Sequence, residues 1–263
     1  MPGQLAFFSL AHLADPGAHR DYNEWHQLDH RPENLLLPGV AWGERWVRSP
    51  ECAAIDPPPD PGLGEFHYLN MYWFREPTSE HRRAWSELAE RSFHWGRRAD
   101  LELCTRPMMG FYVPVRGEVA RRVRVSADAL PLRPNRGVHL EVLDFPDARS
   151  VATMRWFDWY DRVRVPELLA RPGVAGVWSF AAEDVFTSPL DLAPGEGSEP
   201  RSTRRIHLAY LDREPTELAP ELRTPATAPE GASTPHVLFS GVLRSITPWE
   251  WDWFERDHLG APK

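Results

Sequence analysis

Residues 24–40, EWHQLDHRPENLLLPGV, contain a motif that occurs a second time in the chain. Residues 158–174, DWYDRVRVPELLARPGV, align with it without a gap. A tryptophan, a Pro-Glu pair and a Pro-Gly-Val triplet occupy the same places in both copies, beginning at Trp25, Pro32 and Pro38 in the first. Agreement at a fixed offset indicates an internal repeat, and therefore two halves that are built alike.

The neighbourhood of each copy repeats as well. Strand-like residues 5–13 precede the first copy, residues 138–145 precede the second, and another strand follows each Pro-Gly pair. A third strand, a helix and a closing strand then give each half the order β-α-β-β-α-β of a ferredoxin-like unit. The sequence therefore predicts an α+β protein made of two tandem ferredoxin-like repeats. The predicted units are a first repeat at 1–118, a polar linker at 119–136, a second repeat at 137–248 and a C-terminal helix at 249–263.

Charge and hydropathy exclude several classes of protein. The formal net charge is −8 and no basic stripe with interleaved aromatic residues is present, so we expect no nucleic-acid partner. No apolar run approaches the roughly 20 residues of a membrane span, so we expect no membrane association. Residues 5–13 lack a preceding positive charge and are followed by Asp15-Pro16, which favours a strand over a signal peptide. The cysteines, Cys52 and Cys104, form no zinc or disulfide pattern, which favours the reducing cytoplasm.

Two prolines shape the first copy. Proline removes a helical N–H and crowds the preceding turn, so we expect the helix to bend or end near Pro32. Pro38-Gly39 is typical of a helix stop followed by a turn into the next strand. We expect the apolar residues of this helix to pack on the sheet, namely Trp25, Leu28, Leu35 and Leu36.

The polar residues of the first copy are not repeated. Where the first copy has His26, Asp29 and His30, the second has a tyrosine, a valine and an arginine. The fold therefore does not require histidine or aspartate at these positions. A functional site on this helix would belong to the first half alone.

Three interpretations of these polar residues compete. In the first, His30 moves a proton, as histidine does near neutral pH, while Asp29 or Glu33 orients or polarises it. In the second, His26 and His30 bind zinc, since they lie four residues apart on one helical face. The helix of the common metalloproteases carries glutamate where this chain has Gln27, which disfavours the second interpretation. In the third, the polar face is solvated or packed at an interface.

The end of the chain favours the first interpretation over the second. Residues 253–258, WFERDH, place Trp253, Asp257 and His258 at the spacing of the tryptophan, aspartate and second histidine of the first copy. Phe254 stands where the first copy has His26. What recurs is therefore an Asp-His pair and not a pair of histidines.

A second group of candidate residues lies on a strand. In EFHYLNMYWF, residues 65–74, alternation places Tyr68, Asn70 and Tyr72 on one face. Together with His26 they are candidates for hydrogen-bonding an aromatic or polyketide-like ligand. The alternative is cross-strand aromatic packing without a ligand.

The first copy also resembles a known group, the dimeric α/β-barrel superfamily, in the region shared by EthD-like proteins. The residues that carry this resemblance are Trp25, Asp29, His30, Pro32, Glu33, Pro38, Gly39 and Val40. The resemblance implies that the antiparallel sheets of the two halves close into one barrel within the chain. In the family, two separate chains usually form such a barrel.

The resemblance specifies the fold better than the reaction. Such barrels house heme proteins, lactone isomerases, polyketide cyclases and cofactor-free monooxygenases, so the fold does not determine function. We expect an enzyme that acts on a small apolar, aromatic or polyketide-like molecule by proton transfer, with no metal and no cofactor. The alternatives are a non-catalytic ligand-binding or stress-related barrel and a heme-binding barrel. Whether the chain forms a homodimer is left open.

Overall fold

The computed structural model describes residues 3–97, 104–186, 203–223 and 227–254. The strands in these ranges are β1 Leu5–Leu13, β2 Val40–Val47, β3 Tyr68–Phe74, β4 Cys104–Val119, β5 Gly137–Asp144, β6 Val174–Phe186, β7 Arg204–Leu211 and β8 His236–Ser245. The α-helices are α1 His19–Trp25, α2 Arg31–Leu36, α3 Pro50–Ile55, α4 Thr78–His94, α5 Val151–Trp159, α6 Val165–Ala170 and α7 Pro215–Leu222. Shorter helical segments are the 3₁₀ turns Pro16–Ala18 and Ala127–Leu132 and the π turns His26–His30 and Tyr160–Arg164.

The strands form one closed barrel in the order β1-β3-β2-β8-β5-β7-β6-β4. Every neighbouring pair is antiparallel. Each half of the chain contributes four consecutive strands of the barrel, β4-β1-β3-β2 from the first and β8-β5-β7-β6 from the second. The prediction of an α+β protein with a closed antiparallel barrel is confirmed.

Alternation along the strands separates an apolar interior from a partly polar outer face. Phe8 on β1 and Met71 on β3 belong to the apolar cluster that fills the barrel. Their sequence neighbours Ser9 and Asn70 point the other way and pair with each other across the two strands. The helices cover this outer face, so the polar residues of the first half lie buried between sheet and helix.

The helix that carries the repeated motif runs from His19 to Leu36 as α1, a π turn and α2, and we call it the site helix. Its π turn is closed by a bond from the Arg31 N–H to the carbonyl of His26. Pro32 falls in the first turn of α2, where a missing N–H is tolerated. Of the two outcomes expected near Pro32, a bend or an end, the helix does not end there: it widens into a π turn and continues.

The second half also contains a π turn directly before a proline. The Val165 N–H bonds to the carbonyl of Tyr160, directly before Pro166. Since a π turn precedes the proline in both halves, it belongs to the fold and not to a site present in one half only.

The packing of the site helix also differs from expectation. Leu28 and Leu36 are 37% and 83% exposed, so the prediction that they pack on the sheet is wrong for both. Leu35 does pack on the sheet, and Trp25 is partly buried. The buried positions of this helix are largely polar: His19, Tyr22, Asn23, His26 and Asn34.

The connection between the halves and the C-terminal residues both pack on the barrel. Leu130 of the connection is buried in the barrel core, and the Trp178 Nε1–H donates to the carbonyl of Ala127 at 3.0 Å. Residues 249–254 consist of turns and irregular backbone, while 255–263, with Asp257 and His258, lie outside the described residues. The C-terminal helix therefore stays a prediction.

Candidate active site

A cavity of about 910 Å³ lies between the site helix, the end of α4 and the start of β4. Its apolar wall consists of Leu13, Ala18, Trp25, Leu28, Pro32 and Leu36. Its polar or ionisable residues are Asp21, Tyr22, Asp29, His30, Glu33, Ser92, Arg97 and Cys104. A largely apolar concavity with a few converging polar groups is the usual form of a small-molecule site. The three residues expected to be catalytic, Asp29, His30 and Glu33, all line it.

His30 is held in a fixed orientation at the cavity wall. Its ring stacks on Trp25 with centroids 4.7 Å apart and planes at 17°. Its Nε2 lies 3.1 Å from the side-chain nitrogen of Asn34, one helical turn later. Because an amide nitrogen donates only, Nε2 accepts and the ring proton resides on Nδ1. The same amide nitrogen of Asn34 donates to the hydroxyl of buried Tyr72 at 3.2 Å, which ties His30 to the sheet.

The two carboxylates of the site helix differ in their contacts. Glu33 pairs with Arg97 at 2.5 Å and accepts a hydrogen bond from the Ser92 hydroxyl at 3.3 Å. It therefore connects the site helix to α4 and the residues that follow α4. Asp29 is exposed at the cavity wall. The hydrogen-bond partner of His30 described above is Asn34, whereas the sequence had suggested Asp29 or Glu33.

His26 lies behind the cavity and does not line it. Its side chain is buried, and its ring meets the edge of His30 with centroids 4.9 Å apart at 87°. Burial, reinforced by the charges of Arg45, His30 and Arg106, holds the pKa of His26 well below its usual range. The imidazole is therefore neutral. Its Nδ1 has no hydrogen-bond partner in the structure.

Tyr68, Asn70 and Tyr72 share one face of β3, as predicted, and this face points at the site helix. None of them lines the cavity. The Tyr68 hydroxyl lies 2.7 Å from His19 Nδ1 and accepts a bond of 2.7 Å from Asn23. Tyr68 and Tyr72 therefore hold the helix to the sheet, whereas Asn70 bonds within the sheet, to Arg45 and to the carbonyl of Ser9. Burial raises the pKa of Tyr72 to about 12, so its phenol stays protonated.

Arg45 is the charged residue at the centre of the polar side chains that lie buried between the site helix and the sheet. It is 1% exposed and donates to the side-chain oxygens of Asn70 at 2.9 Å and Asn23 at 3.1 Å. Its guanidinium also faces the rings of Tyr22 and Tyr68, at 5.3 and 5.4 Å from their centroids. No carboxylate among the described residues pairs with it. An uncompensated buried cation is costly, and it favours negative charge nearby.

Tyr22 lies between the cavity and these buried polar side chains, because it lines the cavity and faces Arg45. Its side chain lines the cavity, while its hydroxyl is buried and has no hydrogen-bond partner among the described residues, like Nη1 of Arg45 and Nδ1 of His26. Burial raises the pKa of Tyr22. Unpaired buried polar atoms are rare and mark places where a ligand or water completes the bonding. The arrangement offers hydrogen-bond donors and positive charge at the inner side of an apolar cavity.

Sequence reasoning missed several of these residues. Tyr22 lies one helical turn before His26, a spacing that indicates a shared face. Arg45 shares β2 with a second charged residue, Glu44, so the strand sequence alone did not distinguish the buried charge. Asn34 and Arg97 gave no signal, since their partners are recognised only in three dimensions.

The described residues show no metal centre and no membrane helix. No three His, Cys, Asp or Glu side chains come together there as ligands for a metal ion. Among the helices of the described ranges, none has the length and apolar character needed to cross a bilayer.

Comparison with known proteins concerns the fold. No family model matches the sequence, and no curated protein matches it either. A candidate monooxygenase from Fusobacterium nucleatum superposes with a TM-score of 0.50 at 8% identity, over 94% of this chain and 94% of that one. An anthrone oxidase-like protein gives a TM-score of 0.47 at 12% identity, over 92% and 91% of the two chains. At 8% identity the likeness to the Fusobacterium protein shows that the fold is shared, in agreement with an α/β barrel.

Proposed function

We propose that this chain is an enzyme that transfers a proton to or from a small, largely apolar molecule of aromatic or polyketide-like character. The observation that carries the proposal is the cavity, in which apolar walls surround a histidine of fixed tautomer and an exposed carboxylate. Acid–base catalysis needs these two groups within reach of one bound molecule.

The contacts suggest a role for each residue. His30, with its proton on Nδ1, donates to a substrate oxygen, and Asp29 accepts a proton from the neighbouring carbon. Negative charge that develops on the substrate oxygen is stabilised by the positive charge of buried Arg45. Tyr22 lies between the cavity and Arg45. Glu33, bound by Arg97 and Ser92, holds the site helix against the end of α4.

Isomerisation, cyclisation and cofactor-free oxygenation all begin with this proton transfer. Oxygenation would further require that the resulting carbanion react with dioxygen. The description of the Fusobacterium protein agrees with oxygenation, but the likeness to it concerns the fold, and one fold supports many reactions.

The rival from another class is a barrel that binds a ligand without changing it. The same apolar walls would serve both functions, so the chemical step alone separates them. A heme barrel would need an axial histidine in the cavity. Among the described lining residues that histidine is His30, and its Nε2 already accepts from Asn34, so the residues present do not fit heme.

The architecture supports the assignment of the cavity to one half. We propose that the chain consists of two tandem ferredoxin-like units at 1–118 and 137–248, joined by 119–136. The identical strand order in both halves and the recurring π turn support this. The cytoplasmic location and a homodimer remain predictions.

A cavity-filling substitution tests the proposed binding site. Wild-type protein is first titrated with hydroxynaphthalenes, hydroxyanthracenes and aromatic β-diketones, with tryptophan fluorescence as the signal. Leu28→Trp fills the cavity and should weaken binding by roughly tenfold or more, about 1.4 kcal/mol. Leu132→Trp is the matched control, because Leu132 is 50% exposed on the connection between the halves. Equal affinities of the two variants would show that the ligand binds elsewhere.

A further inference from the structure

We infer that residues 246–254, which follow the last strand of the second half, hold the site helix of the first half in place, and that Phe254 is the positioning residue through which they act. This inference concerns the cavity described above and in that respect rests on the proposed function. It assigns a direct part in forming the site to the residues that follow β8.

The first observation is the apolar cluster between the two halves. Ile246 and Trp251 are 7% and 4% exposed and pack in one cluster with Leu13, Tyr22 and Cys104. The last three residues also line the cavity. The C-terminal residues therefore support the cavity wall from behind.

The second observation is the contact of Phe254 with the start of the site helix. Its ring stacks on buried His19 with centroids 3.9 Å apart and planes at 22°. The same ring meets the edge of His67 at 4.9 Å and the ring of Tyr68 at 6.1 Å. Phe254 thus closes an aromatic group that contains the first residue of the site helix.

The third observation is the hydrogen-bond chain that begins at His19. Its Nδ1 contacts the Tyr68 hydroxyl at 2.7 Å, and that hydroxyl accepts from the Asn23 amide at 2.7 Å. The Asn23 oxygen in turn accepts from Arg45 at 3.1 Å. Displacement of His19 would therefore be transmitted through polar contacts to the buried guanidinium.

Substitutions at Phe254 can distinguish a positioning role from a general contribution to stability. A leucine at 254 keeps apolar volume in the cluster but cannot stack on an imidazole, whereas a tyrosine keeps the ring. Met154 on α5 is 57% exposed, lies outside this cluster and serves as the control position. Variants Phe254→Leu, Phe254→Tyr and Met154→Ala therefore isolate the stacked contact.

The test combines histidine NMR with binding of 1-naphthol in the intact chain. In Phe254→Leu the Cε1–H resonance of His19 should move downfield, because the ring current of the phenylalanine is lost, and the resonances of His26 and His30 should shift as the helix relaxes. The Kd for 1-naphthol should rise about 2- to 10-fold, the range expected when an aromatic stack is lost. Phe254→Tyr should restore both readouts, and Met154→Ala should change neither.

A double-mutant cycle shows whether Phe254 acts through His19. Phe254→Leu should add nothing further in a His19→Gln background. Unchanged His26 and His30 resonances in Phe254→Leu, or additive effects in the cycle, would overturn the inference. If 1-naphthol fails to bind the wild-type protein, the proposed ligand class is wrong, while the resonance shifts still decide the role of Phe254.

Discussion

The side-chain amide of Asn34 donates to Nε2 of His30 across one turn of α2, at 3.1 Å. This bond fixes the tautomer of the histidine that faces the cavity. It also makes the orientation of His30 depend on the sheet, because the same amide nitrogen reaches Tyr72.

Replacement of Asn34 by aspartate should reverse the tautomer of His30. A carboxylate accepts where the amide donated, so the ring proton should move from Nδ1 to Nε2. The ¹⁵N chemical shifts of the imidazole report this directly. Asn135→Asp, which makes the same chemical change at a site that contacts Trp46 and Ser245, should leave His30 as it is. A His30 that already carries its proton on Nε2 in the wild type would refute the assignment.

The two carboxylates of the site helix should respond differently to amide substitution. Asp29→Asn removes the proposed proton acceptor and should lower kcat by about 10²–10⁴-fold. Glu33→Gln weakens a partly exposed ion pair, whose contribution is about 0–1 kcal/mol, so its effect on kcat should stay within roughly tenfold. Steady-state kinetics on a turned-over ligand compares them. If Glu33→Gln lowered kcat more than Asp29→Asn, Glu33 would be the proton acceptor and Asp29 would not.

The fold itself should lose stability in acid. Burial lowers the pKa of His207 from its ordinary 6.5 to about 4 and that of His67 to about 3, and it also lowers the pKa of His139. Below pH 6.5 the unfolded chain binds protons that the folded protein does not. Stability that is complete above pH 6.5 is therefore lost as the pH falls towards these lowered values.

Urea unfolding at pH 7 and pH 5 measures this loss. His207 alone should account for about 2 kcal/mol of the difference between the two pH values, so His207→Gln should reduce the difference by that amount. His236→Gln is the control, since that side chain is 61% exposed. An unchanged difference in His207→Gln would show that this histidine does not titrate as described.

Part of this structure could be predicted from the sequence. The resemblance of residues 24–40 implied the closed antiparallel barrel, and the alternation along β3 predicted the shared face of Tyr68, Asn70 and Tyr72. Comparison of residues 24–40 with 158–174 identified Asp29 and His30 as residues that occur in only one of the two stretches. Both line the cavity.

The rest depended on contacts between elements. Pro32 predicts a bend or an end by local rules, yet the helix continues because a π turn precedes the proline. Asn34 and Arg45 acquire their roles from Tyr72 and Asn70, which lie far from them in sequence. Phe254 meets His19 only because the barrel brings the two halves together.

Hydrogen–deuterium exchange at the carbon of a bound ligand shows whether the protein abstracts a proton from it. A ligand with an acidic C–H is incubated with the protein in D₂O, and loss of that proton signal is followed by NMR, which detects abstraction without any net reaction. The wild-type protein should accelerate exchange, and His30→Ala should slow it by about 10²-fold or more while His236→Ala does not. Equal exchange rates in the wild type and His30→Ala, with the ligand bound by both, would contradict the account and favour a binding protein.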